Sequence, residues 1–128
     1  MVIRDELERL CARFPACNVV AFTDLTTGMV LCYNAGSKLP QEQLDDLCQT
    51  AAALLDGQMA ATFGAQLAGP AGPAVQTVLL VDGKNVELFL RAGAQPAEAL
   101  CCNCTTQIEL SAFVRAAGDV LAAIAGAP

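Results

Sequence analysis

Two short runs of the chain are apolar at every position, and they limit the folds that the sequence can adopt. Residues 19–22 read Val-Val-Ala-Phe, and residues 29–32 read Met-Val-Leu-Cys. Successive side chains of a strand point to opposite faces of a sheet, so a strand that is apolar throughout is buried on both faces. A Thr-Thr-Gly turn at 26–28 separates the runs. The pattern predicts a hairpin, with strands over 18–24 and 29–33, in a sheet covered on both sides.

Three segments with helical periodicity could supply this cover. The first predicted helix covers 3–14 and ends before Pro15, because the residue before a proline avoids the helical region. The second, over 41–67, would be about 40 Å long and would overhang a strand of roughly 20 Å. The third follows a predicted capping box, in which Thr106 caps the helix and Glu109 reaches back. The three apolar stripes are Ile3, Leu7, Leu10, Cys11 and Phe14; Leu44, Leu47, Cys48, Ala51, Leu55, Met59 and Phe63; and Leu110, Phe113, Val114, Ala117, Leu121 and Ile124.

Three further strands are predicted between the second and third helices, over 75–81, 86–91 and 99–104. Residues 82–85 read Asp-Gly-Lys-Asn, which is typical of a hairpin turn. The order is therefore helix, two strands, helix, three strands, helix. It predicts an α/β protein of the α+β type, with one domain over residues 1–128 and a five-stranded antiparallel sheet between helices.

Charge and composition exclude several functions. The chain carries 13 acidic and 7 basic residues, a net charge of −6, with no stripe of Lys or Arg. Nucleic acid and anionic membrane surfaces are therefore not expected partners. We expect neither a membrane span nor a secretory signal, because no apolar block approaches twenty residues and five charges fall within the first nine residues. Seven cysteines without such a signal indicate free thiols in a reducing cytoplasm.

The motifs of catalysis are missing from the sequence. There is no histidine, which removes the commonest general base and every Ser-His or Cys-His nucleophile. The two serines lie outside any nucleophile-elbow pattern, and there is no phosphate-binding glycine loop. We therefore expect a protein that is not an enzyme and holds no cofactor.

One cysteine cluster leaves two interpretations open. Cys101 and Cys104 have the two-residue gap of a zinc knuckle, with Cys102 between them. The other four cysteines, at 11, 17, 32 and 48, form no second pair in the sequence, although the fold could bring them together. The alternative is that these thiols are small core residues, with Cys102 and Cys104 on one face of a strand and Cys101 on the other.

Small residues recur along the second predicted helix. Glycine inside a helix costs about 1 kcal/mol relative to alanine, so close approach of another backbone should offset that cost. The approaching backbone could belong to the chain's own sheet or to a second copy of the chain. The chain has only 20 charged residues, few for the surface of a soluble monomer, which also favours burial of part of its apolar surface against a partner. The candidate dimer residues on this helix are Ala53, Gly57, Ala60, Ala61 and Gly64.

The whole chain, from residue 3 to about 125, resembles the roadblock family, the fold of a dynein light chain and of bacterial small-GTPase regulators. The resemblance rests on the order of the segments and on their residue patterns. They read DELERLCARFPAC, VVAFTDLTTGMVLCYN, PQEQLDDLCQTAAALLDG, TVLLVDGKNVELFLR and IELSAFVRAAGDVLAAI. Two features depart from it, the close cysteines of the fifth strand and the uncharged segment 57–81.

The resemblance implies a strand order of two, one, five, four, three, and a homodimer in which third strands meet edge to edge. Gln76, Val78 and Leu80 would then lie at the dimer contact. It also implies an interaction module that binds or regulates a small Ras-like GTPase, or serves as a subunit of a motor or signalling complex. Two alternatives stay open: a small-molecule sensor of profilin-like architecture, and a cysteine metal or redox module.

Overall fold

The computed structural model describes residues 3–36, 38–56, 77–91 and 98–125. In these ranges, three helices and five strands follow one another in the predicted order. In chain order they are α1 (Ile3–Arg13), β1 (Cys17–Asp24), β2 (Met29–Ala35), α2 (Gln41–Asp56), β3 (Thr77–Val81), β4 (Asn85–Arg91), β5 (Glu98–Thr105) and α3 (Leu110–Ala125). No helix in these ranges has the length and apolar character needed to cross a bilayer.

The strands form one antiparallel sheet in the order β2-β1-β5-β4-β3, as the resemblance implies. The cysteine-bearing strand β5 is central and pairs with β1 on one side and β4 on the other. The first and second strands of the chain thus lie at one end of the sheet, and the third lies at the opposite edge. The predicted fold class is confirmed.

Helices cover both faces of the sheet. On one face, the apolar stripes of α1 and α3 pack on β1, β4 and β5, with Leu7, Leu88 and Phe113 fully buried. Phe113 meets Phe14 edge to face, at 5.2 Å between ring centroids. On the other face, Ala51 and Leu55 of α2 pack on a cluster with fewer buried residues, which are mostly small and surround the buried ring of Phe89. This double cover explains the continuous apolar run of β1, which is largely buried. The expectation that the run of β2 is also buried on both faces is wrong, because Met29 and Leu31 are 58% and 52% exposed.

Two boundary predictions need comment. The capping box is wrong: the Phe113 amide donates to the Glu109 carbonyl at 2.9 Å, so Glu109 stands at the cap position and α3 begins at Leu110. Upstream, the Thr105 hydroxyl instead accepts from the Gln107 amide at 3.3 Å in a separate turn. The predicted extension of the second helix over 57–67 lies outside the described residues, as do residues 75 and 76 of the third strand.

Both hairpin turns form where the sequence places them. Gly28 adopts a φ of +72°, a conformation in which a glycine avoids steric strain, and its amide donates to the Asp24 carbonyl. At the second turn, Oδ1 of Asp82 accepts from the amides of Lys84 and Asn85, both at 2.7 Å. Side-chain acceptors of this kind are why Asp initiates turns.

Candidate interaction surface

The outer edge of the sheet is formed by β3, a regular strand of five residues that pairs with β4. Four of its five side chains are apolar, yet Leu79, Leu80 and Val81 are 40%, 41% and 66% exposed. Isolated exposed apolar residues are ordinary, but three in succession leave apolar side chains exposed on both faces of this edge strand. Such an edge offers both backbone hydrogen bonds and apolar side chains to another strand.

The orientation of β3, left open by the sequence, follows from its pairing. Val78 lies opposite Phe89 and packs against the cluster beneath α2. By the alternation of strand side chains, Leu80 points to the same side as Val78, and Leu79 points to the side of α1 and α3. The two predicted dimer residues on β3 in the described range therefore share the α2 side of the sheet.

The outward face of α2 carries the predicted helix residue Ala53. It is exposed, whereas Ala51 and Leu55 on the inward face are buried. The remaining candidates, Gly57, Ala60, Ala61 and Gly64 on the helix and Gln76 on the strand, lie outside the described residues. The structure thus brings Ala53, Val78 and Leu80 to one side of the sheet.

A partly buried contact that the sequence did not indicate connects α2 to the sheet near this edge. Nη2 of Arg91, on β4, donates to the Leu55 carbonyl at 2.8 Å. A guanidinium bond to a carbonyl is charge-assisted and stronger than a neutral pair. It orients the described end of α2 over β4, the neighbour of β3.

The opposite edge carries an open groove of about 630 Å³ along β2, between the beginnings of α1 and α2. Its lining mixes charged and polar side chains, including Arg4, Glu8, Asn34 and Lys38, with apolar ones. A second groove of about 500 Å³ runs beside α2. Both are open to solvent, whereas small-molecule sites are usually concave, mostly apolar and enclosing.

The cysteines of β5 separate as the core interpretation requires. Cys102 and Cys104 join the cluster beneath α1 and α3, and Cys101 joins the cluster beneath α2. Burial raises the pKa of Cys101 to about 12 and that of Cys102 well above its ordinary value of 9.0. The knuckle candidates Cys101 and Cys104 thus point to opposite faces of the sheet. Within the described ranges no three potential ligands are grouped in a way that could hold a metal ion.

A different group of thiols converges, and sequence reasoning missed it. Sγ of Cys11, on α1, lies 4.0 Å from Sγ of Cys17, at the start of β1. Cys17 is in turn the cross-strand partner of Cys104. The signal available in the sequence, two cysteines flanking the Phe-Pro turn at the end of the first helix, specifies no distance between their sulfurs.

A five-stranded antiparallel sheet in the order β2-β1-β5-β4-β3, with two helices on one face and one on the other, is the roadblock fold. A Roadblock/LC7 domain from Streptomyces avermitilis superposes with a TM-score of 0.77 at 13% identity, over 95% of this chain and 93% of that one. MglB in a tetrameric arrangement gives 0.79 at 17% identity, over 96% and 85%. The gliding protein MglB from Thermus thermophilus gives 0.75 at 19% identity, over 96% and 87%.

These likenesses extend over nearly the whole chain, but at such identities they establish the fold alone. No protein-family model and no curated protein sequence matches the chain. The predicted resemblance to the roadblock family is therefore confirmed at the level of structure.

Proposed function

We propose that this protein is a non-enzymatic, homodimeric interaction module that binds or regulates a small Ras-like GTPase. The observation that carries the proposal is the edge strand β3, which presents Leu79, Leu80 and Val81 to solvent beside a backbone edge with which no described strand pairs. Pairing with the β3 of a second copy would bury these side chains and satisfy both edges.

The electrostatics of the chain agree with this arrangement. The net charge is −6, yet the five residues of β3 are uncharged. Two copies can therefore meet at this edge without placing carboxylates opposite one another, which would oppose pairing. The small exposed side chain of Ala53 leaves room for a helix to approach α2 on the same side.

The GTPase part of the proposal is supported by the fold and by the function that the family resemblance implies. Two of the similar structures are MglB, one of them described as a gliding protein and the other as a tetrameric arrangement. The absence of histidine from the sequence agrees with a protein that binds and positions a partner rather than one that performs acid–base chemistry.

Light scattering at micromolar concentration tests the dimer. We expect a mass about twice the 13.2 kDa of one chain. A mass of one chain at all concentrations up to roughly a hundred micromolar would exclude a stable homodimer, because it sets Kd weaker than the range of specific interfaces of standard size.

Binding to purified small Ras-like GTPases from the same genome tests the second part. Each GTPase is loaded with GDP or with a non-hydrolysable GTP analogue and titrated with the protein in a calorimeter. We expect binding to one nucleotide state in preference to the other. If the protein is dimeric and binds none of them in either state, the GTPase assignment is wrong and the self-association module remains.

A further inference from the structure

Two thiols approach each other at the corner that connects α1 to β1, and a third lies on the neighbouring strand β5. Cys11 comes from the last turns of α1, Cys17 from the start of β1 and Cys104 from β5. The sulfurs of Cys11 and Cys17 are 4.0 Å apart. Forming a bond between them shortens this distance to about 2 Å. The residues belong to one local segment, linked by the turn that begins at Phe14.

The two sulfurs differ in access. Cys17 is 6% exposed, at the base of the cluster beneath α1 and α3, whereas Cys11 is only half-buried. A partly exposed thiol beside a buried one is the arrangement in which the first can meet an oxidant and the second can resolve the product.

Hydrogen bonding also divides the roles. The hydrogen-bonding contact with the Cys17 side chain, assisted by one with the Asn34 side chain and opposed by burial, lowers the pKa of Cys11 from 9.0 to about 7. Hydrogen bonds with Cys104 and Cys11, together with burial, raise the pKa of Cys17. Of the two thiols that lie 4.0 Å apart, Cys11 is therefore the one that ionises more readily, and the thiolate is the form that reacts.

We propose that Cys11 and Cys17 are an oxidation site, at which a peroxide converts the two thiols into a reversible disulfide. The Cys11 thiolate attacks one peroxide oxygen, the O–O bond breaks, and the departing hydroxide is protonated to water. Cys11 is left as a sulfenic acid. The Cys17 sulfur then attacks the Cys11 sulfur, the S–O bond breaks, and hydroxide leaves with the Cys17 proton as a second water. Two thiols lose two electrons in total, and one hydrogen peroxide is reduced to two waters.

The site lies apart from the proposed dimer edge. In the strand order β2-β1-β5-β4-β3, two strands separate β1 from β3. The disulfide would join α1 to β1 beneath a corner of the sheet where the Thr105 amide also donates to the Ala16 carbonyl, at 2.8 Å. Oxidation is therefore expected to constrain this corner and to leave the mass in solution unchanged, which separates its test from that of the dimer.

Peptide mapping of the full chain locates the bond. The purified protein is treated with hydrogen peroxide in slight excess, alkylated under denaturing conditions and weighed intact. Weighed before alkylation, the chain should be about 2 Da lighter than the untreated chain, the mass of the two hydrogens removed. After alkylation we expect five alkylated cysteines of seven, and seven when dithiothreitol is added first. Trypsin cuts after Arg9 and Arg13, so the bond joins peptide 10–13 to the peptide that begins at Phe14. Chymotrypsin, cutting after Phe22, then separates Cys17 from Cys32.

Single variants assign the roles. Cys11→Ala should slow the loss of thiols at least tenfold, and Cys17→Ala should leave Cys11 oxidised as sulfenic or sulfinic acid without a disulfide. Cys32→Ala, which removes another half-buried thiol, is the matched control and should react as the parent chain does. If Cys17→Ala does not fold, the disulfide map of the Cys32→Ala protein still shows whether Cys11 bonds to Cys17. Three results would each overturn the proposal: retention of all seven thiols, a disulfide from Cys11 to a cysteine other than Cys17, or an unchanged rate of thiol loss in Cys11→Ala.

Discussion

The two edge strands of the sheet differ in how far the helices cover them. β2 contacts both α1 and α2, and most of its residues are half-buried. β3 contacts α2, and four of its five residues are exposed. An edge strand without cover is a ready partner for another strand. Among the described residues β3 is therefore the less covered edge strand, which supports the proposed dimer contact.

Local geometry widens this difference. β1 and β2 lose register between the pairs Phe22↔Cys32 and Thr23↔Val30, which leaves Leu31 of β2 as an extra residue in a bulge. Bulges twist an edge and interrupt its hydrogen-bonding row. β3 pairs with β4 in unbroken register from Thr77↔Leu90 to Val81↔Val86. β2 also has exposed apolar side chains, Met29 and Leu31, but on an interrupted strand.

A charge placed on each edge in turn gives the largest expected effect. Leu80→Lys adds two like charges to a joined β3 edge and removes buried apolar area, so we expect the dimer Kd to rise roughly 30- to 100-fold. Leu31→Lys, on the β2 edge, is the matched variant and should leave Kd unchanged. Sedimentation equilibrium measures both. Equal effects of the two variants would show that the contrast between the edges does not control assembly.

The two hairpin turns give the next largest effect. Gly28 has a φ of +72°, so Gly28→Ala should cost about 1 kcal/mol although no atom lies within 4 Å of the added Cβ. Gly83 has equally open surroundings and no positive φ, so Gly83→Ala should change the free energy of unfolding by less than about 0.5 kcal/mol. Urea denaturation of both variants measures the difference. Similar costs would show that backbone strain does not distinguish the turns.

The cover over β2 depends partly on one phenol. The Leu39 amide donates to the Tyr33 hydroxyl at 3.4 Å, which holds the segment before α2 against the edge. Because this bond is long, Tyr33→Phe should lower the free energy of unfolding by only about 0.5 kcal/mol. Amide hydrogen exchange at Leu39 should accelerate in the variant. Unchanged exchange there would mean that the hydroxyl does not retain this segment.

The smallest expected effect is the contribution of Asp82 to the pH dependence of stability. Two backbone amides at 2.7 Å lower the pKa of Asp82 below its ordinary 3.8. Since the folded pKa is depressed, the charged carboxylate stabilises the fold above pH 3.8, and that contribution is lost as the pH falls through the lowered pKa. Asp82→Asn should therefore melt slightly below the parent chain at about pH 6 and together with it at about pH 2. A difference that persists in acid would assign the effect to shape rather than charge.

Much of the fold could be anticipated from local patterns. The stripes of α1 and α3 pack into the core as their spacing predicts, with some members partly buried, and Val86, Leu88 and Leu90 on β4 are buried there. The start of α3 was not anticipated correctly, because a Thr-x-x-Glu motif competes with a turn that uses Thr105 instead. The bulge at Leu31 has no turn residue or glycine to announce it.

The candidate sites were anticipated less well than the fold. The sequence favours small residues at a dimer contact, but Gly57 and its neighbours lie outside the described residues, so that prediction stays untested. The zinc-knuckle spacing of Cys101 and Cys104 drew attention to thiols that the pleat sends to opposite faces. The pair that does approach, Cys11 and Cys17, has no recognisable spacing.

Periodicity in the chain was enough to predict the order of the elements, the apolar stripes of the helices and which β5 thiols share a face, because these depend on rotations of about 100° or 180° between neighbouring residues. Periodicity could not define which edge stays bare, where the register slips, or that Arg91 reaches Leu55 and Cys11 reaches Cys17. Those outcomes depend on distances between separately placed elements, and such distances exist only after the helices have packed on the sheet.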